Sequence, residues 1–400
     1  MSKVKIDIST HFLPDDHQVF VLHPGKRKKF YKEVLEQQAV FLDLPGFSLK
    51  KNVDIKSDDF HAALEMSAAV AKWHRLGADP DKKPSRDLAN YKNEKAKKST
   101  LKSRLVSEFE GLYFTARVGD LIVCPGDGYN SHVLIGEITK PFSPDFTAYS
   151  RHYPGEKIPA RQVRWLSIQQ KKAFYSDRLI SLMQNPAALI RIYDLVERKE
   201  IYDVAYKDYT IGNEGVGRIL IKNSHIDLKE FSQGMEVVSY FSALYHAKDI
   251  GQLADFLALP PKEAIEKFYN HTYFTDTSIN INSPGEIAQK AIKAALPSFI
   301  GIMLALAAMQ VAPTDAAAAD FVNSASGVPS GCQIEIAERV KEAMNMMHMD
   351  MWQEICAKRR AATDAIGMDT PTEVTVDGKS ATVSGNAAPS TKPKVPKPNK

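Results

Sequence analysis

Between Leu121 and Leu166 the apolar positions come in short, dense runs. These are Leu121-Ile122-Val123-Cys124, then Val133-Leu134-Ile135-Gly136-Glu137-Ile138, then Gln162-Val163-Arg164-Trp165-Leu166, each fenced by Gly, Pro, Asp or Asn. Runs of this length between turn formers predict closely spaced strands, which curl into a small sheet or barrel. Gly119-Asp120 predicts the turn into the first strand, and Gly126-Asp127-Gly128 supplies residues that accept positive φ where the chain reverses. Upstream, Val4 to Ile8 alternates as an opening strand. Val19 to Leu22 is a second apolar run closed by His23-Pro24-Gly25, and Val40 to Gly46 reads as a further strand and turn of the same barrel. Phe60 to Leu76 switches to helical spacing and ends at Gly77.

After Leu166 helical spacing takes over. Gln169 to Met183 predicts a helix stopped by Asn185-Pro186, and Leu189-Ile190-Arg191-Ile192 is a short apolar run before a domain boundary near Arg198. Ile211 to Ser224 predicts a hairpin, because its Gly212, Gly215 and Gly217 lack the Gly-Lys-Ser/Thr ending and the following helix of a phosphate loop. Helices are expected over Glu230 to Leu257 and from Pro260-Pro261 to Tyr269, since proline is tolerated in a first turn. Ala294 to Ala312 carries no charge. It reads either as a helix buried among others or at an oligomer contact, or as one that inserts in a membrane. Gln333 to Ala361 predicts one long amphipathic helix. Its Met344, Met347 and Met351 share a face, which favours packing over a copper site despite the soft ligands Met346, Met349, His348 and Cys356 nearby. Residues 366–400 lack apolar mass and predict a disordered basic tail.

Composition narrows the class without choosing a partner. Four hundred residues with 44% apolar content allow two or three domains, and a net charge of +4 leaves local clusters to decide on nucleic acid. Lys26, Arg27, Lys28 and Lys29 sit beside Phe30 and Tyr31, where cations can meet a phosphate backbone while a ring stacks on a base; the same residues also read as a solvated helix start. Pro80 to Arg104 is the most basic stretch, including Lys97 and Lys98. Asp79, Asp81, Asp87 and Glu94 offset it, so a solvated face and a nucleic-acid surface both remain open. Three scattered cysteines give no disulfide framework and fit a reducing cytoplasm. MSKVKIDIST lacks the charged-then-apolar pattern of a cleaved signal peptide.

Gly119-Asp120 with Pro125, then Ile135-Gly136-Glu137-Ile138, then Arg161, Val163, Arg164 and Trp165 together resemble the EVE and PUA-like small β-barrels at the front of modification-dependent restriction and other prokaryotic defence proteins. The resemblance implies an aromatic-lined pocket that holds a nucleobase, often a modified one. Flat rings and a few edge-reading polar groups are what a flipped base requires. Tyr113, Tyr149, Arg161, Arg164 and Trp165 are the residues it singles out. Strand parity sets Trp165 inward with Val163 and leaves Arg161 and Arg164 to meet phosphates or a carboxylate such as Glu137.

No catalytic constellation emerges. His225 with Asp227, His246 with Asp249 and His271 with Asp276 are the nearest approaches, but the strand-borne carboxylates and Glu-x-Lys pair of a metal nuclease are not found. The expectation is an α+β chain with an EVE/PUA-like barrel domain over 1–198, a mainly α-helical assembly or effector domain over 199–365, and a tail. Its function is expected to be a non-enzymatic, cytoplasmic, cofactor-free sensor of DNA or RNA in antiviral defence. Its C-terminal helices would join a second copy or a partner protein. A membrane-acting effector and a diverged nuclease are the competing readings.

Overall fold

A computed structural model describes residues 2–48, 54–92, 100–128, 130–171, 174, 176–185, 187–223, 226–280, 285–325 and 330–380. The chain is mixed α+β and divides into two compact units. One comprises Asp16–Ala205; the other joins Met1–Asp15 to Tyr206–Lys400. Lys97, Lys98, His225 and residues 381–400 lie outside the described residues.

The Asp16–Ala205 unit is built on a six-stranded sheet that curls into a half-barrel. From one edge the order is Leu189–Ile192, Val19–Leu22, Leu121–Pro125, His132–Ile138, Arg161–Gln170 and Ala39–Val40. The second and third strands are parallel, and the other pairs antiparallel. Val19–Leu22 and Leu121–Pro125 are buried throughout, as central strands covered on both faces should be. Curvature has a local cause. Ile135 pairs with Ser167 but Gly136 with Trp165, so Leu166 is an extra residue that bends the longest strand.

Asp120 explains the Gly-Asp turn. Its carboxylate accepts the backbone N–H groups of Arg117 (2.7 Å) and Gln18 (2.9 Å), tying the starts of two neighbouring strands, while Gly119 takes φ 94°. The helix Asp58–Arg75 starts at Ser57, whose hydroxyl accepts from Phe60 N–H at 3.2 Å, and stops before Gly77 at φ 95°. Phe60, Leu64, Phe109, Leu112 and Tyr113 join Phe20, Leu22, Ile122 and Leu134 in one core. The helix expected from Gln169 starts only at Asp177, because Gln169 and Gln170 still pair with Val133 and His132.

The other unit carries two sheets besides its helices. They are a four-stranded sheet, Asp320–Val322, Val4–Asp7, Glu373–Val376 and Lys379–Ser380, and a six-stranded sheet, Phe274–Asn280, Gly285–Ala291, Glu214–Ile221, Tyr209–Ile211 and His11–Leu13, with Met368–Asp369 as a further strand beside Glu214–Ile221. The opening strand therefore belongs here and not to the half-barrel. Residues 366–380 are likewise not tail: Met368–Asp369 pairs with Leu220 and Ile221, and Val374 pairs with Ile6. Composition concealed this because only Ile366, Met368 and Val374 there are buried apolar anchors.

The helix expected over Glu230 to Leu257 breaks at Gly251 (φ 73°) into Leu228–Asp249 and Leu253–Leu257. That expected over Gln333 to Ala361 breaks before His348 into Gly331–Met346 and Met349–Ile366. Met344 and Met347 are buried in the core, and Met351 packs against it. The uncharged segment becomes the 14-residue helix Leu296–Met309, whose Phe299, Ile300, Met303 and Leu304 are buried in that same core. Among the described residues no helix is long and apolar enough to cross a membrane.

Candidate nucleic-acid interface

The basic run opens as a 3-10 turn, Lys26–Lys28, and the α-helix begins only at Tyr31. Lys26 and Arg27 are exposed. Lys28 is half-buried and donates to His23 Nδ1, while His23 Nε2 pairs with the Leu182 carbonyl at 3.2 Å. Burial pushes the Lys28 ammonium down to about 8. Lys29 is committed elsewhere: it salt-bridges Asp43 at 2.9 Å and donates to Tyr153 Oη at 2.6 Å. Its Nζ also lies 4.4 Å from the Phe30 ring centre and 4.6 Å from that of Tyr153. Tyr31 donates to the His132 carbonyl at 3.1 Å, and burial holds its phenol above the usual range.

Arg161 and Tyr113 are interior residues. Arg161 is 2% exposed, and its guanidinium donates to the carbonyls of Leu112 (3.0 Å), Ala116 (2.9 Å) and Lys140 (3.2 Å), closing the turn that ends the helical segment through Thr115. Tyr113 donates to the Pro159 carbonyl at 2.7 Å. Arg164 points outward and meets Glu137 at 2.8 Å, across the pair its strand register sets. Trp165 is half-buried against the core. Tyr149 is 60% exposed, its backbone held at both ends by Gln37, through 2.7 Å to its carbonyl and 2.9 Å from its N–H. None of these residues lines the cavity beside the edge strand Leu189–Ile192.

A cavity of about 470 Å³ opens instead between the edge strand Leu189–Ile192 and the helix Thr100–Glu110. Phe20 and Leu189 give it apolar lining; Arg104, Arg191, Tyr193 and Glu110 give it polar lining. Arg104 is tied to Glu108 at 3.0 Å, and the same carboxylate accepts Ala188 N–H at 2.9 Å, fixing the start of the edge strand. Arg191 has no carboxylate partner among the described residues. Its guanidinium carbon stands 4.9 Å from the ring centre of Tyr193, which is 76% exposed. The volume falls within the roughly 300–1,000 Å³ of small-ligand sites. A guanidinium stacked on an open ring presents a flat cationic surface that an aromatic base can cover.

Neither Arg191 nor Tyr193 stands out from sequence as a site residue. A signal existed, however: Arg191 is the one charged residue of an apolar strand, and an aromatic, Tyr193, directly follows that strand. In the other unit, the pairing of His246 with Asp249 is indirect. Tyr273 donates to Asp249 at 2.6 Å and meets His246 Nδ1 at 2.9 Å, and Lys293 and Arg339 both reach the Asp249 carboxylate at 2.9 Å. Against the cost of burial, these bonds hold the carboxyl below its usual range, so it is an anchor between helices.

Family models, curated proteins and solved structures were compared with the chain, and none matches.

Proposed function

We propose that the Asp16–Ala205 unit is a non-enzymatic sensor of DNA or RNA, modified bases included. In this reading its half-barrel is an EVE/PUA-like module of a cytoplasmic prokaryotic antiviral defence protein. The remaining unit assembles copies or engages a partner protein. The observation that carries the reading is the Arg191–Tyr193 stack at the mouth of an open cavity of about 470 Å³. Support also comes from the exposed Lys26 and Arg27, cations placed to meet a phosphate backbone. The membrane-acting reading has less behind it, since Leu296–Met309 spans 14 residues and is spent inside a core. A gel-shift titration of the full chain with single-stranded and double-stranded oligonucleotides at two salt concentrations tests the proposal. Binding that weakens as salt rises is expected; no binding even at low salt refutes it.

A further inference from the structure

At one end of the half-barrel, strand register brings the C-terminal ends of Val19–Leu22, Leu121–Pro125 and Arg161–Gln170 together. Two lysines converge on the turns that leave these strands. Lys171, 4% exposed, donates to the carbonyls of Gly126 and Gly128 at 2.9 and 2.7 Å. Among the described residues the Lys28 ammonium meets only the His23 ring. Among the described residues neither ammonium forms an ion pair with a carboxylate. Asp127 attracts both through space, while Lys171 repels Lys28, and burial pushes both ammonium groups down. Two cations therefore face a single carboxylate in a partly desolvated corner.

The backbone holding Lys28 is also unusual. Arg27 and Lys28 both take φ 55°, one residue after Gly25 at φ 72°. Left-handed backbone at consecutive non-glycine residues is disfavoured, and it persists where the surroundings over-determine it, commonly at ligand sites.

We propose that this cluster of turns binds a phosphate group, with Lys28 and Lys171 as its cationic partners. A phosphate oxygen offers Lys28 an anionic partner in place of the imidazole nitrogen, and supplies the negative charge that the two lysines lack. The phosphate could be the terminal group of a nucleic-acid strand or a free inorganic ion, and the two sources are separable. None of the residues named here lines the Arg191 cavity, so this inference stands or falls apart from the sensing proposal.

Isothermal titration of the full chain at neutral pH uses three probes: inorganic phosphate, and one oligonucleotide with either a 5′-phosphate or a 5′-hydroxyl end. Saturable binding of inorganic phosphate, or clear preference for the 5′-phosphate strand, is expected and identifies the source. Lys28→Gln is expected to weaken that binding by about tenfold or more, with Lys28→Arg restoring most of it. Lys171→Met should act likewise; if it does not fold, Lys28→Gln decides alone. No phosphate binding together with equal affinity for both strands overturns the inference, as does unchanged binding in Lys28→Gln. A 5′-hydroxyl strand that binds while phosphate does not leaves the sensing proposal intact.

Discussion

Trp165 lies against Gly136, its cross-strand partner, so closely that a Cβ on the glycine would stand 2.6 Å from the indole Cε3. Hydrogen is the only side chain that fits under the ring. Gly136→Ala must displace the indole or the bulged strand, and overpacking of this kind costs about 1–3 kcal/mol. Denaturant unfolding of the variant should show that loss together with altered tryptophan fluorescence. Unchanged stability would mean the indole does not rest there.

The two arginines of the Arg161–Gln170 strand should behave oppositely to what exposure of a cation suggests. Arg161→Met leaves the buried carbonyls of Leu112 and Ala116 without their donor, each such group costing about 1–3 kcal/mol, and frees the part-buried carbonyl of Lys140. Arg164→Ala removes an ion pair whose arginine side chain is 63% exposed, worth at most about 1 kcal/mol. Thermal unfolding of both variants checks the contrast; equal effects would contradict it.

How much of this was legible in sequence depends on how local the cause is. The strands at Leu121–Pro125, His132–Ile138 and Glu214–Ile221 and the helix Asp58–Arg75 follow from nearby periodicity and turn residues. The cavity does not. It exists because Leu189–Ile192 pairs with Val19–Leu22, and no local pattern encodes a pairing across that separation. The same holds for Val4–Asp7, whose partners Asp320–Val322 and Glu373–Val376 come from the far end of the chain. Lys28 and Lys29 sit side by side in one basic run, yet one meets an imidazole ring and the other a carboxylate. Charge counting along the run cannot separate them.

Asp208 makes stability depend on pH. It is 3% exposed, and burial pushes its carboxyl up to about 7 from an ordinary 3.8. Between about pH 4 and 7 the folded chain keeps a proton that the unfolded chain has released. Stability therefore falls as pH rises through that window and levels off above it. Asp208→Asn retains an Oδ1 to accept the Arg218 N–H, 2.9 Å away, and should flatten the slope. Melting temperatures measured across the window for both proteins decide; identical slopes would remove Asp208 as the cause.

The central claim is that the Arg191–Tyr193 stack receives a base, and fluorescence anisotropy with a labelled single-stranded oligonucleotide measures it most directly. Tyr193→Ala should weaken binding by about 1–3 kcal/mol, the range for loss of one base–aromatic stack. Arg164→Ala, whose guanidinium is already paired, should leave binding close to the unmodified chain's. Equal affinity for the unmodified chain and Tyr193→Ala would contradict the account.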